Sequence, residues 1–148
     1  MLDTGPLGLI THPRANEETE SAARWLRERR AAGEDIRIPE IADYELRREL
    51  LRANKTKSIR TLDGFKAALG YVPLSTEAMV RAADFWAETR RQGKPTAPDS
   101  ALDADVILAG QAVALEAGTQ NLEVVVATAN VGHLARFVTA EDWRSVGA

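Results

Sequence analysis

The sequence contains no cysteine and only two histidines, His12 and His133. This composition excludes disulfide frameworks, thiolate nucleophiles, cysteine-ligated zinc and histidine-rich metal sites. Aromatic residues make up 5% of the 148 positions, and no apolar run approaches the roughly 20 residues that a membrane helix requires. The amino terminus lacks the basic region of a signal peptide. We therefore expect a cytoplasmic protein without a membrane segment, whose chemistry depends on carboxylates, hydroxyls, amides and arginines.

Length and composition are typical of one globular domain, which we expect to span residues 1–148. Hydrophobic residues make up 45% and charged residues 28% of the chain, so a disordered chain is excluded. The net charge of −3 hides an uneven distribution, because residues 46–66 hold seven basic and two acidic side chains. Fifteen of the nineteen basic residues are arginine, which binds phosphate through two parallel hydrogen bonds. This basic stretch is a candidate nucleic-acid surface, and a solvated helix face is the alternative.

Helical and strand-like segments alternate along the chain. The β-branched or apolar patterns predict short strands at residues 36–39, 71–74 and 122–127, with a very short apolar piece ending at Asp3 and a further edge strand after residue 138. Amphipathic or apolar segments predict helices at residues 7–11, 16–32, 40–54, 58–69, 75–92 and 101–118, with a loop at 93–100. The alternation predicts a short-stranded, mainly parallel sheet between two layers of helices, a three-layer α/β/α sandwich.

Several large apolar side chains are expected to face the core of this sandwich. In the helix at 75–92 they include Met79, Val80, Phe85 and Trp86, and the other two tryptophans, Trp25 and Trp143, are expected to be buried as well.

Polar residues from four distant segments are expected to meet at one rim of the sheet. Asp3 follows the first strand, Glu45 lies on the helix after the second strand, and Asp105 lies in the most apolar helix. Thr128 and Asn130 follow the strand that we expect to be central. Ligands of parallel sheets bind beyond the carboxyl ends of the strands. Oxygen ligands of this kind suit Mg²⁺ or Mn²⁺, and a carboxylate cluster beside arginines has the composition for metal-assisted phosphodiester hydrolysis.

Each of these residues also has an ordinary structural interpretation. Asp3 is compatible with a turn or cap, Glu45 with a solvated helix face, and Asp105 with an acid that favours a helix amino terminus. Ser100 and Asp103 match a capping box. Asn130 is compatible with a turn residue, and His133 with a surface or half-buried polar side chain.

Taken together, four stretches resemble the PIN-domain nuclease family, in particular its VapC-like toxin branch. The matching stretches, in chain order, are Leu2–Thr4, Ile38–Leu46, Asp105–Ala112 and Val126–Leu134. They resemble the family's opening strand and first acid, its second strand with a Glu-Leu pair, its Asp-x-x-Ile-Ala-Ala-x-Ala helix, and its last central strand followed by Thr-x-Asn.

The resemblance implies an endoribonuclease that depends on Mg²⁺ or Mn²⁺. Asp3, Glu45 and Asp105 would be the catalytic, metal-binding carboxylates, and Asn130 would stand where many members have a fourth acid. The resemblance also implies a homodimer that a small antitoxin protein holds inactive. Thr4 and Thr128 would orient carboxylates, and Asp103 would be a candidate to substitute for the fourth acid. Candidate RNA contacts are Arg47, Arg48 and Arg52.

The sequence departs from the family mildly at Gly110, where alanine is commoner, and more strongly in two other places. Members usually have several apolar residues before the first acid, whereas this chain has two, and Asn130 is an amide rather than an acid. An alternative interpretation is therefore a weak or inactive PIN-like module that binds RNA or protein. A phosphoacceptor receiver domain is a third possibility, but the acidic pair and the strand-end lysine that it needs are absent from the sequence.

Overall fold

A computed structural model describes residues 1–93 and 99–147, and the side chains among them except those of residues 99–102. This part of the chain folds into seven helices and four short strands. The helices are α1 (Thr4–Thr11), α2 (Glu17–Ala31), α3 (Glu40–Arg52), α4 (Thr56–Ala68), α5 (Thr76–Arg91), α6 (Asp99–Ala117) and α7 (Val131–Leu134). The strands are β1 (Arg37–Pro39), β2 (Gly70–Val72), β3 (Val126–Thr128) and β4 (Ala140–Asp142).

The strands form two parallel pairs. Strand β1 pairs with β2, with Arg37 opposite Gly70, and β3 pairs with β4, with Val126 opposite Ala140. The protein is therefore an α/β protein with parallel strands, as predicted, and most of its regular structure is helical.

The first three residues connect the two strand pairs. Leu2 forms a parallel bridge with Ala127, and the N–H of Asp3 donates to the carbonyl of Ala127 at 3.0 Å. On the other side, the N–H of Leu2 donates to the carbonyl of Arg37 at 3.0 Å. Because Leu2 is 1% exposed, this brief segment fixes Asp3 at the carboxyl-end edge of β3.

The main core lies where α1 and α2 pack on the connected strands. Its largest side chains include Trp25 and Trp143, whose rings meet edge to face with centroids 5.8 Å apart. These two tryptophans are buried, as predicted.

Helix α5 exposes three of the large apolar residues predicted to face the core, whereas the fourth, Phe85, packs against Ala82 and Val106 as predicted. Met79, Val80 and Trp86 are 45%, 57% and 39% exposed, so the prediction that they face the core is wrong. Its buried positions are smaller residues, Ala78, Ala82 and Thr89. Helix α6 approaches α5 so closely that a Cβ at Gly110 would overlap the carbonyl of Ala78, so small residues must form this contact.

Element boundaries differ from the predictions in three instructive places. Helix α1 begins three residues earlier than predicted, because the Asp3 carboxylate caps it by accepting the N–H of Thr4. Helix α6 is described from Asp99, two residues before the predicted start, and the Ser100 side chain of the predicted capping box lies outside the described residues. The strand predicted at 122–127 starts only at Val126.

The loop predicted at 93–100 falls largely on residues 94–98, which lie outside the described residues. Among the described helices, none is both long enough and apolar enough to cross a bilayer.

Candidate active site

The Asp3 carboxylate lies at the centre of a hydrogen-bonded chain at the edge of β3. Its Oδ1 accepts the N–H of Thr4 at 2.6 Å, and its Oδ2 accepts the hydroxyl of Thr128 at 2.6 Å. The Thr128 hydroxyl, which is fully buried, also accepts the N–H of Asn130 at 2.9 Å. Both oxygens of Asp3 are thereby held in place by neutral donors, which leave the negative charge of the carboxylate uncompensated.

Thr4 connects this carboxylate to the one on α3. The Thr4 hydroxyl donates to Oε2 of Glu45 at 2.8 Å, across 41 residues of sequence. Helix α3 starts directly after β1, and its Glu45 side chain is 24% exposed. One threonine at the start of α1 therefore holds Asp3 through its N–H and Glu45 through its hydroxyl.

Asp105 completes the group from α6, which packs against both α3 and α7. Its Oδ2 lies 3.3 Å from Nδ1 of His133, and its side chain is 24% exposed. Burial raises the pKa of Asp105 above its ordinary value of 3.8; the charge of His133 opposes this shift, and the charges of Asp3 and Glu45 add to it. The electrostatic coupling places all three carboxylates in one neighbourhood.

The chemistry of this neighbourhood fits a hard divalent cation, because its candidate ligands are carboxylate oxygens. The carboxylates of Asp3, Glu45 and Asp105 lie near one another but do not converge on a single metal position. Within the described side chains, no three histidine, aspartate or glutamate residues come close enough to hold one ion. The side chains of Glu45 and Asp105 would have to rotate before they could bind the same metal ion as Asp3.

Two other predicted site residues lie at the margins of this group. Asn130 is exposed and is the residue before α7, at the same strand end as Thr128. Asp103 is exposed and lines a groove between α5 and α6, together with Met79 and Trp86. The structure thus places Asn130 beside the carboxylates and Asp103 on a different surface of α6.

The three arginines that follow Glu45 have different surroundings. Arg47 donates from Nε and Nη2 to Asp43, at 3.1 and 2.9 Å, and from Nη2 to Asp63 at 2.7 Å. Arg48 lies 3.7 Å from Oε1 of Glu45 and is half exposed, while Arg52 is exposed and pairs with Glu49. Of the three, Arg48 is the one that contacts the carboxylate site.

His133, for which the sequence predicts an ordinary polar role, contacts Asp105. The available signal was its position one turn after Asn130, on the short helix that follows β3. Its partner is 28 positions earlier in the sequence, on a different helix, and a single sequence does not reveal such a contact.

Comparison with known proteins does not assign the chain to a family. The chain matches no protein-family model and no curated protein. The interpretation of the site therefore depends on its own geometry and chemistry.

Proposed function

We propose that the protein is a metal-dependent endoribonuclease, in which Asp3, Glu45 and Asp105 act together at the carboxyl-end edge of β3. The observation that carries this proposal is the hydrogen-bonded arrangement in which Thr4 connects the carboxylates of Asp3 and Glu45. Burial raises the pKa of Asp105, and the charges of Asp3 and Glu45 add to that shift. Three carboxylates from distant segments repel one another, and proteins keep such groups together at a cost in stability mainly where a cation or a reaction needs them.

The residues at the site have separable roles in this proposal. Asp3, Glu45 and Asp105 would hold Mg²⁺ or Mn²⁺, with the amide oxygen of Asn130 as an additional neutral ligand. A bound divalent cation would lower the pKa of a water molecule and stabilise negative charge on the leaving oxygen of the phosphodiester. The hydroxyls of Thr4 and Thr128 keep the carboxylates oriented, since they already donate to Glu45 and Asp3.

The arrangement of the strands and helices in three layers is also part of this proposal. We infer that the two strand pairs and the first three residues form one five-part parallel sheet, with helices on both faces in three layers, as in PIN domains. The hydrogen bonds from Leu2 to Arg37 and from Asp3 to Ala127 support this arrangement.

A second candidate is a PIN-like module that binds RNA or protein without cleaving it. The observation that favours it is the open arrangement of the carboxylates within the described part of the chain. The amide at Asn130 makes the site less negative than four acids would, and so favours the same alternative. Metal-dependent cleavage distinguishes the two functions.

The test of the proposed function is cleavage of a mixed cellular RNA pool by the purified protein. We expect discrete fragments with Mg²⁺ or Mn²⁺ and none with EDTA. Glu45→Gln should slow cleavage at least about tenfold, because the amide removes one negative ligand. Glu49→Gln, on the same helix but exposed and paired with Arg52, is the matched control and should cleave like the wild type.

Cleavage that persists in EDTA, or that is equally fast in Glu45→Gln, would rule out the carboxylate mechanism. The absence of cleavage with either metal would favour the binding module instead.

The predicted homodimer and antitoxin stay proposals based on the resemblance. The exposed apolar residues Met79, Val80 and Trp86 on α5 offer a surface that such a partner would cover. Sedimentation velocity of the purified protein would show directly whether it is a monomer, which would contradict the homodimer.

A further inference from the structure

An exposed aromatic residue lies directly beside the carboxylate site. Tyr44 precedes Glu45 on α3 and is 57% exposed. The guanidinium carbon of Arg48 lies 5.3 Å from the centre of the Tyr44 ring, one helical turn further along. Arg48 also lies 3.7 Å from the Glu45 carboxylate, so one arginine contacts both the ring and the acid.

This arrangement orients the ring without burying it. A cation within about 6 Å of an aromatic centroid attracts the ring face, and this contact restricts the positions that Tyr44 occupies. Since more than half of the side chain is still exposed, part of the ring is free to contact a ligand. Arg48 carries five N–H donors and is 51% exposed, so it has donors left for a phosphate group.

We propose that Tyr44 and Arg48 form a stacking platform for a base of single-stranded RNA, next to the phosphodiester at the carboxylate site. Tyr44 would stack on the base, and Arg48 would contact the adjoining phosphate. An aromatic ring beside an arginine is the combination by which proteins bind single strands without reading their sequence. This inference rests on the proposed function for the identity of the substrate, and it adds a residue that contacts the base rather than the phosphate.

The test is a binding measurement that is independent of cleavage. Fluorescence anisotropy of a labelled eight-nucleotide oligouridine is recorded in EDTA for the wild type, Tyr44→Ala and Tyr44→Phe. Because base stacking contributes to the binding free energy, Tyr44→Ala should bind the oligouridine about tenfold more weakly than the wild type. Tyr44→Phe retains the aromatic ring and should bind nearly as well as the wild type. Leu74→Ala, which removes a 38% exposed apolar side chain that follows β2 outside the carboxylate site, is the control and should not change the affinity.

An abasic strand of the same length separates stacking from backbone contact. On this probe the wild type and Tyr44→Ala should bind equally, because no base is present for the ring to contact. The dependence of affinity on salt should also be the same for both proteins, since no phosphate contact is lost. Three results would overturn the platform. The wild type does not bind oligouridine, Tyr44→Ala binds it as tightly as the wild type does, or Tyr44→Ala loses as much affinity for the abasic strand as for oligouridine.

Cleavage by the same proteins with Mg²⁺ keeps the two proposals separate. Metal-dependent cleavage together with unchanged affinity in Tyr44→Ala would overturn the platform and leave the nuclease intact. Binding that depends on Tyr44 without any cleavage would support the platform and overturn the nuclease.

Discussion

Replacing Asp105 with asparagine is expected to reduce metal-dependent RNA cleavage at least about 100-fold, because it removes one of the three proposed metal ligands. The same change should make the metal-free protein more stable, by about 1 kcal/mol near neutral pH. The reason is that burial raises the pKa of Asp105, and the charges of Asp3 and Glu45 add to this shift against the opposing charge of His133. Cleavage assays and urea unfolding in EDTA measure the two effects.

The gain in stability has a defined pH dependence. A carboxyl group whose pKa is higher in the folded protein opposes folding only when it is ionised. The unfavourable contribution of Asp105 is therefore absent below its ordinary pKa of 3.8 and fully present above its raised, folded value. The difference in the free energy of unfolding between Asp105→Asn and the wild type should increase as the pH rises from 3.8 to the raised pKa of the folded protein.

Asp84→Asn is the matched control for the stability measurement, because Asp84 is exposed on α5. It should change the free energy of unfolding by less than about 0.5 kcal/mol. A variant Asp105→Asn that is less stable than the wild type at neutral pH, or a gain that is equal at all pH values, would contradict the proposed repulsion.

Replacing Asp43 with alanine is expected to destabilise the protein by about 3 kcal/mol, since it leaves two cations without their buried partner. Asp43 is 5% exposed, although it is charged. Its Oδ1 accepts from Arg47, and its Oδ2 accepts from Lys66 at 3.2 Å and from Tyr71 at 3.4 Å. These contacts connect α3 to α4 and to β2, and α3 is the helix that carries Glu45.

Asp63 provides the comparison within the same network. It also binds Arg47, but its side chain is 55% exposed, so Asp63→Ala should cost less than about 1 kcal/mol. Urea unfolding of both variants tests this contrast. Similar losses for Asp43→Ala and Asp63→Ala would show that burial of the Asp43 carboxylate does not determine its contribution.

The Asp43 network also changes the interpretation of the basic stretch. The sequence predicts Arg47, Arg48 and Arg52 together as RNA contacts, because charge along a helix is all that it reveals. In the structure Arg47 is engaged by Asp43 and Asp63, whereas Arg48 is half exposed beside Glu45. The pairing of Arg47 with Asp43 is a local i,i+4 contact within α3, which the spacing indicates. Its contact with Asp63 on α4 depends on how the two helices pack, and local sequence does not reveal it.

The helices were predictable because their apolar periodicity and terminal residues are local signals. The parallel strands were predictable in type but not in extent. Val124 and Val125 continue the apolar run of β3, yet the N–H of Val124 donates to Glu116 at 3.1 Å instead of to a neighbouring strand. A strand extends only as far as its partner does, and the Leu2 segment that pairs with β3 is very short.

The orientation of three large apolar residues on α5 was predicted wrongly for a steric reason. Large apolar residues usually face the core, but here Ala78 and Ala82 do so, because Gly110 on α6 lets the two helices approach closely. Which face of an amphipathic helix packs inward therefore depends on the neighbouring helix, which lies elsewhere in the sequence.

The position of the site was predicted from the expectation that the carboxyl ends of parallel strands meet at one edge. The structure brings most of the predicted residues together at such an edge. Asp3, Thr4, Glu45 and Thr128 are linked by direct hydrogen bonds, and Asp105 is coupled to two of them electrostatically. Their roles as metal ligands and supporting hydroxyls stay predictions. The contact between His133 and Asp105 was not predicted, because it joins two helices through side chains alone.

Calorimetric titration of Mn²⁺ into the metal-free wild type and Asp105→Asn tests the central claim most directly, because it measures the carboxylate site without any assumption about RNA. We predict saturable binding by the wild type and at least about tenfold weaker binding by the variant. No binding by the wild type, or equal affinity of the two proteins, would contradict a metal site built from Asp3, Glu45 and Asp105.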